Sequence, residues 1–214
     1  MNKMLKLSAI ALLATSTSLM AQTKSFEGPS VGIFAGAIGA EADGSVTGTA
    51  TGGSGSIGKV SGIAGVDLAY GFAGGALAVG ATYVPFKAKF GSGSGNDTTS
   101  GTSITGELSD HYTIYIQPTY VVNKDSALFA KVLYAHADIK TTNTTSASSD
   151  VDGWGAGVGL KTFLTPTTFI QVEGNYTDYD SITGTKLNST GGGTTRVNAD
   201  LKTVQALITL GYKF

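Results

Sequence analysis

Apolar side chains recur at every second position in eight stretches, residues 31–40, 60–72, 77–90, 112–122, 128–139, 151–164, 169–179 and 201–214. In a strand, successive side chains point to opposite faces, so this period predicts eight strands, each with one apolar face. In the second stretch that face carries Ala64, Val66, Leu68 and Tyr70; in the fourth, Tyr112, Ile114, Ile116 and Tyr120. In the fifth it carries Leu128, Ala130, Val132 and Tyr134; in the sixth, Trp154, Ala156, Val158 and Leu160. In the seventh it carries Ile170, Val172 and Tyr176; in the last, Val204, Ala206, Ile208, Leu210, Tyr212 and Phe214. The opposite faces are small or polar: Gly65, Asp67 and Ala69; Lys131; Gly155, Gly157, Gly159 and Lys161; Gln171, Glu173, Asn175 and Thr177.

The connections alternate in length. Residues 73–75, 123–126 and 165–167 are tight-turn sequences. Residues 41–58, 91–109, 140–150 and 180–200 are long and rich in Gly, Ser, Thr and Asn, which predicts flexible loops. Short turns at one end and long loops at the other are the layout of a transmembrane antiparallel up-and-down β-barrel, with its turns in the periplasm and its loops outside the cell. The predicted fold class is therefore all-β, with eight strands. Aromatic positions agree with it. Tyr83, Tyr112, Tyr134, Trp154 and Tyr176 fall at the outer end of the apolar faces, and Tyr70, Phe72, Tyr120, Tyr212 and Phe214 at the periplasmic end. Two such bands are what aromatic girdles at the two membrane interfaces require. Pro85 and Pro118 interrupt this pattern, because proline cannot donate a ladder hydrogen bond; a bulge is expected near Pro85.

Composition narrows the class further. Charged residues make up 14% of the chain, against about 25% in soluble domains. There are 31 glycines and no cysteine, so no disulfide can hold this fold. Residues 1–21 combine a basic start containing Lys3 and Lys6, a short apolar run and the small Ala21, the anatomy of a cleaved secretory leader. That run is too short for the roughly 20 residues of a membrane helix. Residues 22–214 then form the barrel domain, and removing Lys3 and Lys6 takes the formal charge from −1 to −3. Nothing here is the basic patch of a nucleic-acid-binding protein.

Three groups of residues bear chemistry. Asp67, Lys131, Lys161 and Glu173 point inward by parity, two of each sign; an unpaired charge in a tight interior is costly, so they are expected to form a salt-bridge network that closes the lumen. Asp138, Asp150, Asp152, Asp178 and Asp180 lie just beyond the outer aromatic band, with Asp152 expected near Asp180. Like charges facing each other destabilise a sheet, so a divalent cation bridging carboxylates to lipid phosphates is one reading of this rim; simple solvation is the other. His136, with Asp138 on the same face, is the one candidate base at the lipid interface, and no serine stands beside it to act as a nucleophile. No cofactor is expected.

The end of the chain, residues 207–214, resembles the C-terminal assembly signal of outer-membrane proteins, with Phe214 last and Tyr212 two positions earlier. Gly211 is displaced from that signal's usual glycine position, where Thr209 stands. The resemblance implies recognition by the insertion machinery through strand addition. The stretch from Val31 to Gly36 resembles the first strand of the small eight-stranded outer-membrane barrels that include OmpX, the opacity proteins and the transmembrane domain of OmpA. Gly153 to Lys161, the turn at 165–167, and Val172-Glu173 resemble that family's sixth and seventh strands. The resemblance covers nearly all of residues 22–214 and implies a monomer in a Gram-negative outer membrane, in contact with lipid including lipopolysaccharide. It bears on fold more than on activity. Three functions fit such a fold: a non-enzymatic surface protein whose loops meet host or cell-surface ligands or serve the envelope's structure, a narrow porin-like channel, and, least well supported by these residues, a lipid-modifying enzyme.

Overall fold

In a computed structural model, the chain closes into an antiparallel barrel of eight staves. The structure describes residues 26–47, 53–86, 88–94, 103–142, 148–187 and 194–214. The strands are β1 (Gly28–Thr47), β2 (Gly53–Phe72), β3 (Leu77–Val84), β4 (Ala88–Ser94), β5 (Ser103–Val121), β6 (Ser126–Thr142), β7 (Ser148–Phe163), β8 (Thr168–Tyr179), β9 (Ile182–Leu187) and β10 (Thr194–Lys213). Each stave pairs with its chain neighbours, β4 continues β3 alongside β5, and β9 continues β8 alongside β10. The first and last strands close the cylinder, from Ser30 opposite Lys213 to Thr47 opposite Arg196. Phe214 N donates to Pro29 O at 3.0 Å to finish the seam. Closure leaves every stave flanked on both sides, which satisfies backbone groups that lipid could not. Among the described residues no helix is long and apolar enough to cross a membrane; strands make the crossing.

Local chemistry explains the irregularities. The third stave breaks between Val84 and Ala88, so that around Pro85 the strand ends instead of carrying the expected bulge. Pro118 is tolerated because it pairs with Leu77, the first residue of β3, and the ladder resumes as Thr119 N donates to Ala76 O at 2.8 Å. A bulge absent from the sequence expectations separates Ser109 from Tyr112 on β5, with Asp110 at a φ of 51°. The short turns lie where expected. At 123–126, Asn123 Oδ1 accepts the Asp125 and Ser126 N–H groups at 2.9 and 2.8 Å, an Asx turn.

The long loops expected at 41–58, 91–109, 140–150 and 180–200 need correction. Most of those residues are ladder: β1 and β2 stay paired up to Val46 opposite Gly53, β4 pairs β5, and β9 pairs β10. The connections that remain, 48–52, 95–102, 143–147 and 188–193, lie outside the described residues, as does the leader expected at 1–21. Hydrophobic periodicity marks only the membrane-facing part of a strand. Beyond the bilayer, a hydrogen-bonded ribbon of Ser, Thr and Gly needs no apolar face. A strand of 20 residues, as β1 is, runs about 65 Å at roughly 3.3 Å per residue, far more than the 9–11 residues a membrane strand requires.

The outward face is apolar: Ile33, Leu68, Val79, Ile114, Val132, Val158, Val172, Ile208 and Leu210 are all exposed. Inside, glycines make room for large neighbours. A Cβ on Gly80 would strike the Tyr115 ring, one on Gly159 the Phe129 ring, and one on Gly211 the Phe169 ring. The lumen is less uniformly polar than parity suggests. Phe34, Ile38, Ile63, Val84, Leu133, Val151, Tyr179, Leu201 and Leu207 form an apolar cluster on the side of the long connections.

Candidate functional site

Below that cluster lies a charged layer. Strands β6 and β8 hold Lys131 and Glu173 across the lumen, with Nζ 2.7 Å from Oε2 and side chains only 2% and 3% exposed. Gln171 Nε2 and Asn175 Nδ2 also donate to Glu173, at 2.7 and 2.9 Å, because residues two apart on β8 share its inner face. The Lys131 ammonium lies 4.0 Å above the centre of the Tyr115 ring, and the Tyr115 hydroxyl donates to Asp67 Oδ1 at 2.7 Å. A carboxylate with three donors and an ammonium with a carboxylate and a ring face are well-compensated buried charges.

The four inward charges expected from sequence share the lumen but do not form one network. Lys131 and Glu173 pair directly. Asp67 is held by Tyr115. Lys161 makes no ion pair among the described residues; its ammonium lies 4.0 Å over the Phe169 ring. Sequence parity puts Gln171 on the inner face, where it lies, but does not single out Tyr115, although Tyr115 has the opposite parity to Tyr112, Ile114 and Ile116. Phe26, also unforeseen, packs edge-on against Phe163, which packs against Phe169, giving the periplasmic end an aromatic layer. On the other side of the charged layer, His111 Nε2 lies 3.1 Å from the Tyr179 hydroxyl.

The outer rim holds a second cluster, on the lipid-facing side. The register sets Tyr83 opposite Tyr112, Tyr112 opposite His136 and His136 opposite Asp152. His136 stacks on Tyr112 at 5.0 Å between ring centres, Tyr134 meets Trp154 edge-on at 5.5 Å, and Trp154 is 67% exposed. His136 Nδ1 is 2.7 Å from Asp152 Oδ1, and its Nε2 is 3.6 Å from Asp138 Oδ1. The Tyr134 hydroxyl donates to the same Asp152 oxygen at 2.7 Å. Both ring nitrogens therefore face carboxylates, and the imidazole ties β6 to β7 through Asp152. The hydroxyl of Ser109, opposite Asp138 in the ladder, is buried and has no hydrogen-bond partner among the described residues.

Of the other rim acids, Asp150 lies opposite Asp138, and Asp180 N donates to Asp152 O at 2.7 Å. Asp178 lies opposite Trp154 and Lys202. Among the described residues no three His, Asp or Glu side chains converge as a metal site would require. Tyr176 faces outward with the upper group, and Tyr70, Phe72, Tyr120, Tyr212 and Phe214 are exposed beside the short turns.

A closed eight-stave barrel with an apolar outer face and a packed, polar-centred lumen is an outer-membrane β-barrel. The profile of the outer membrane protein beta-barrel domain matches residues 9–214, and the chain belongs to that family. Its seat is the Gram-negative outer membrane. The fold is similar to that of the outer membrane protein OprG from Pseudomonas aeruginosa, with a TM-score of 0.62, 13% identity, and 88% of this chain and 97% of that one covered. Similarity also extends to Ail, the attachment invasion locus protein of Yersinia pestis, with a TM-score of 0.47, 19% identity, and 88% and 99% coverage. A third neighbour is the outer membrane protease OmpT from Escherichia coli, with a TM-score of 0.48, 9% identity, and 88% and 97% coverage. No curated protein matches the chain.

Proposed function

We propose that this chain is a non-enzymatic, non-conducting barrel that anchors an interaction surface outside the cell, built from the strand extensions and the connections they carry. The observation that carries this reading is the filling of the lumen at three levels. These are the apolar cluster around Ile38, the Lys131–Glu173 and Tyr115–Asp67 layer, and the aromatic layer of Phe26, Phe163 and Phe169. Eight strands leave an interior that side chains can fill, and desolvated charges that already have partners do not line a water column. Rigid scaffolds with function in their connections are a common division of labour. Lipid, including lipopolysaccharide, is the partner expected around the barrel wall; ligands on host or other cells are the partners expected above it.

Planar-bilayer recording of the purified barrel tests closure. No stable open state is expected, and sustained currents at the level of a water-filled pore would overturn it. Adhesion of intact cells tests the surface role. Replacing 48–52, 95–102, 143–147 and 188–193 with tight turns is expected to leave barrel levels intact and to lower adhesion to glycan- or protein-coated surfaces. Unchanged adhesion on every coating would remove the role.

A further inference from the structure

We propose that the periplasmic mouth of the lumen binds one halide-sized anion between the Lys161 ammonium and the Gln117 amide. A cavity of about 20 Å³ opens there, lined by Ser30, Gln117, Thr119, Lys161, Phe163 and Lys213 among others. Gln117 is only 4% exposed, and neither its amide nor the Lys161 ammonium has a hydrogen-bond or ion-pair partner among the described residues. Buried donors in native proteins are almost always satisfied, by water or by an ion where protein groups do not reach them.

The lumen's own acids are committed elsewhere. Glu173 accepts from Lys131, Gln171 and Asn175, and Asp67 accepts from Tyr115. The face of the Phe169 ring, 4.0 Å from Lys161 Nζ, stabilises the ammonium without neutralising it. Lys213 lines the same cavity wall. Water can accept from Lys161 and Gln117, but an anion seated there also meets in contact a charge that Asp67 and Glu173 reach only from a distance. Size then selects the anion. A cavity this small holds one water-sized species, so chloride or bromide fits and phosphate or sulfate, with five heavy atoms, does not. The site is independent of the surface role proposed above.

Urea unfolding of the refolded barrel tests this, in chloride, bromide and gluconate at one ionic strength. Chloride and bromide are expected to raise the midpoint saturably above gluconate. The rise should be lost in Lys161→Met and Gln117→Leu and kept in Lys124→Met, which removes an exposed lysine from a periplasmic turn. Equal midpoints in all three salts for the wild type, or an undiminished halide effect in Lys161→Met, would overturn the proposal. Should both lumen variants fail to fold, anomalous scattering from bromide-soaked wild-type crystals decides. A peak between Lys161 and Gln117 supports the site, and a peak-free mouth rejects it.

Discussion

Glu173 is the hub of the lumen, and removing it should cost more than removing the lysine it pairs with. Glu173→Leu leaves three donors facing no acceptor: the Lys131 ammonium, and the amides of Gln171 and Asn175, all within 2.9 Å of the carboxylate in the native barrel. Breaking a buried pair by deleting one partner typically costs about 3–5 kcal/mol, and the two stranded amides place this variant at the upper end. Lys131→Met leaves a carboxylate that still has two neutral donors, so its cost should sit near about 3 kcal/mol. The double variant removes both charges from a site whose side chains are at most 3% exposed. It should come within about 2 kcal/mol of the wild type, since an apolar pair of similar volume often replaces a buried ion pair with little loss. Reversible urea unfolding in detergent micelles or lipid, followed by tryptophan fluorescence, gives all four corners of the cycle. Trp154 is the chain's single tryptophan and lies on the outer face, away from the substitutions. Strict additivity, with the double variant as damaged as the sum of the singles, would refute the claim that these two charges exist for each other.

Gly211→Leu should destabilise the barrel by at least about 1–3 kcal/mol, because its side chain would enter the space of the fully buried Phe169 ring; the same urea midpoint reads it. Deleting Phe214 should lower the amount of barrel in the outer membrane and leave precursor behind, measured by fractionation and immunoblot. An undiminished outer-membrane level would argue against an assembly role for that residue. Phe26→Ala removes the ring that packs on Phe163 and should speed hydrogen exchange of lumen-facing amides near the short turns, with little change in those flanking Ile38.

Much of this barrel is readable from period alone. Alternation separates Leu68 from Asp67 and Val172 from Glu173, and the aromatic bands orient the strands. Parity names which side chains enter the lumen but not which of them meet. That depends on register across non-neighbouring staves, and so Lys161 parts from Asp67 while Tyr115 joins it. The first strand hid its faces because both are apolar or small: Phe34 and Ile38 point in, Ile33 and Ala35 point out. The strand extensions were illegible for a simpler reason. Above the membrane the ladder is held by backbone bonds, and Ser, Thr and Gly carry no mark that separates a paired ribbon from a loop.

The seam between β1 and β10 joins residues at opposite ends of the domain, Ser30 with Lys213 and Val31 with Tyr212. Hairpins such as β6–β7 can form as soon as their own residues meet, whereas this ladder must wait for nearly the whole chain. Such long-range pairing is slow. Until it forms, two strands of up to 20 residues present open edges, and open edges recruit other chains. The barrel's most exposed moment is thus before it is a barrel, and the kinetics of its last joint set how long a partner must shield it on the way to the membrane.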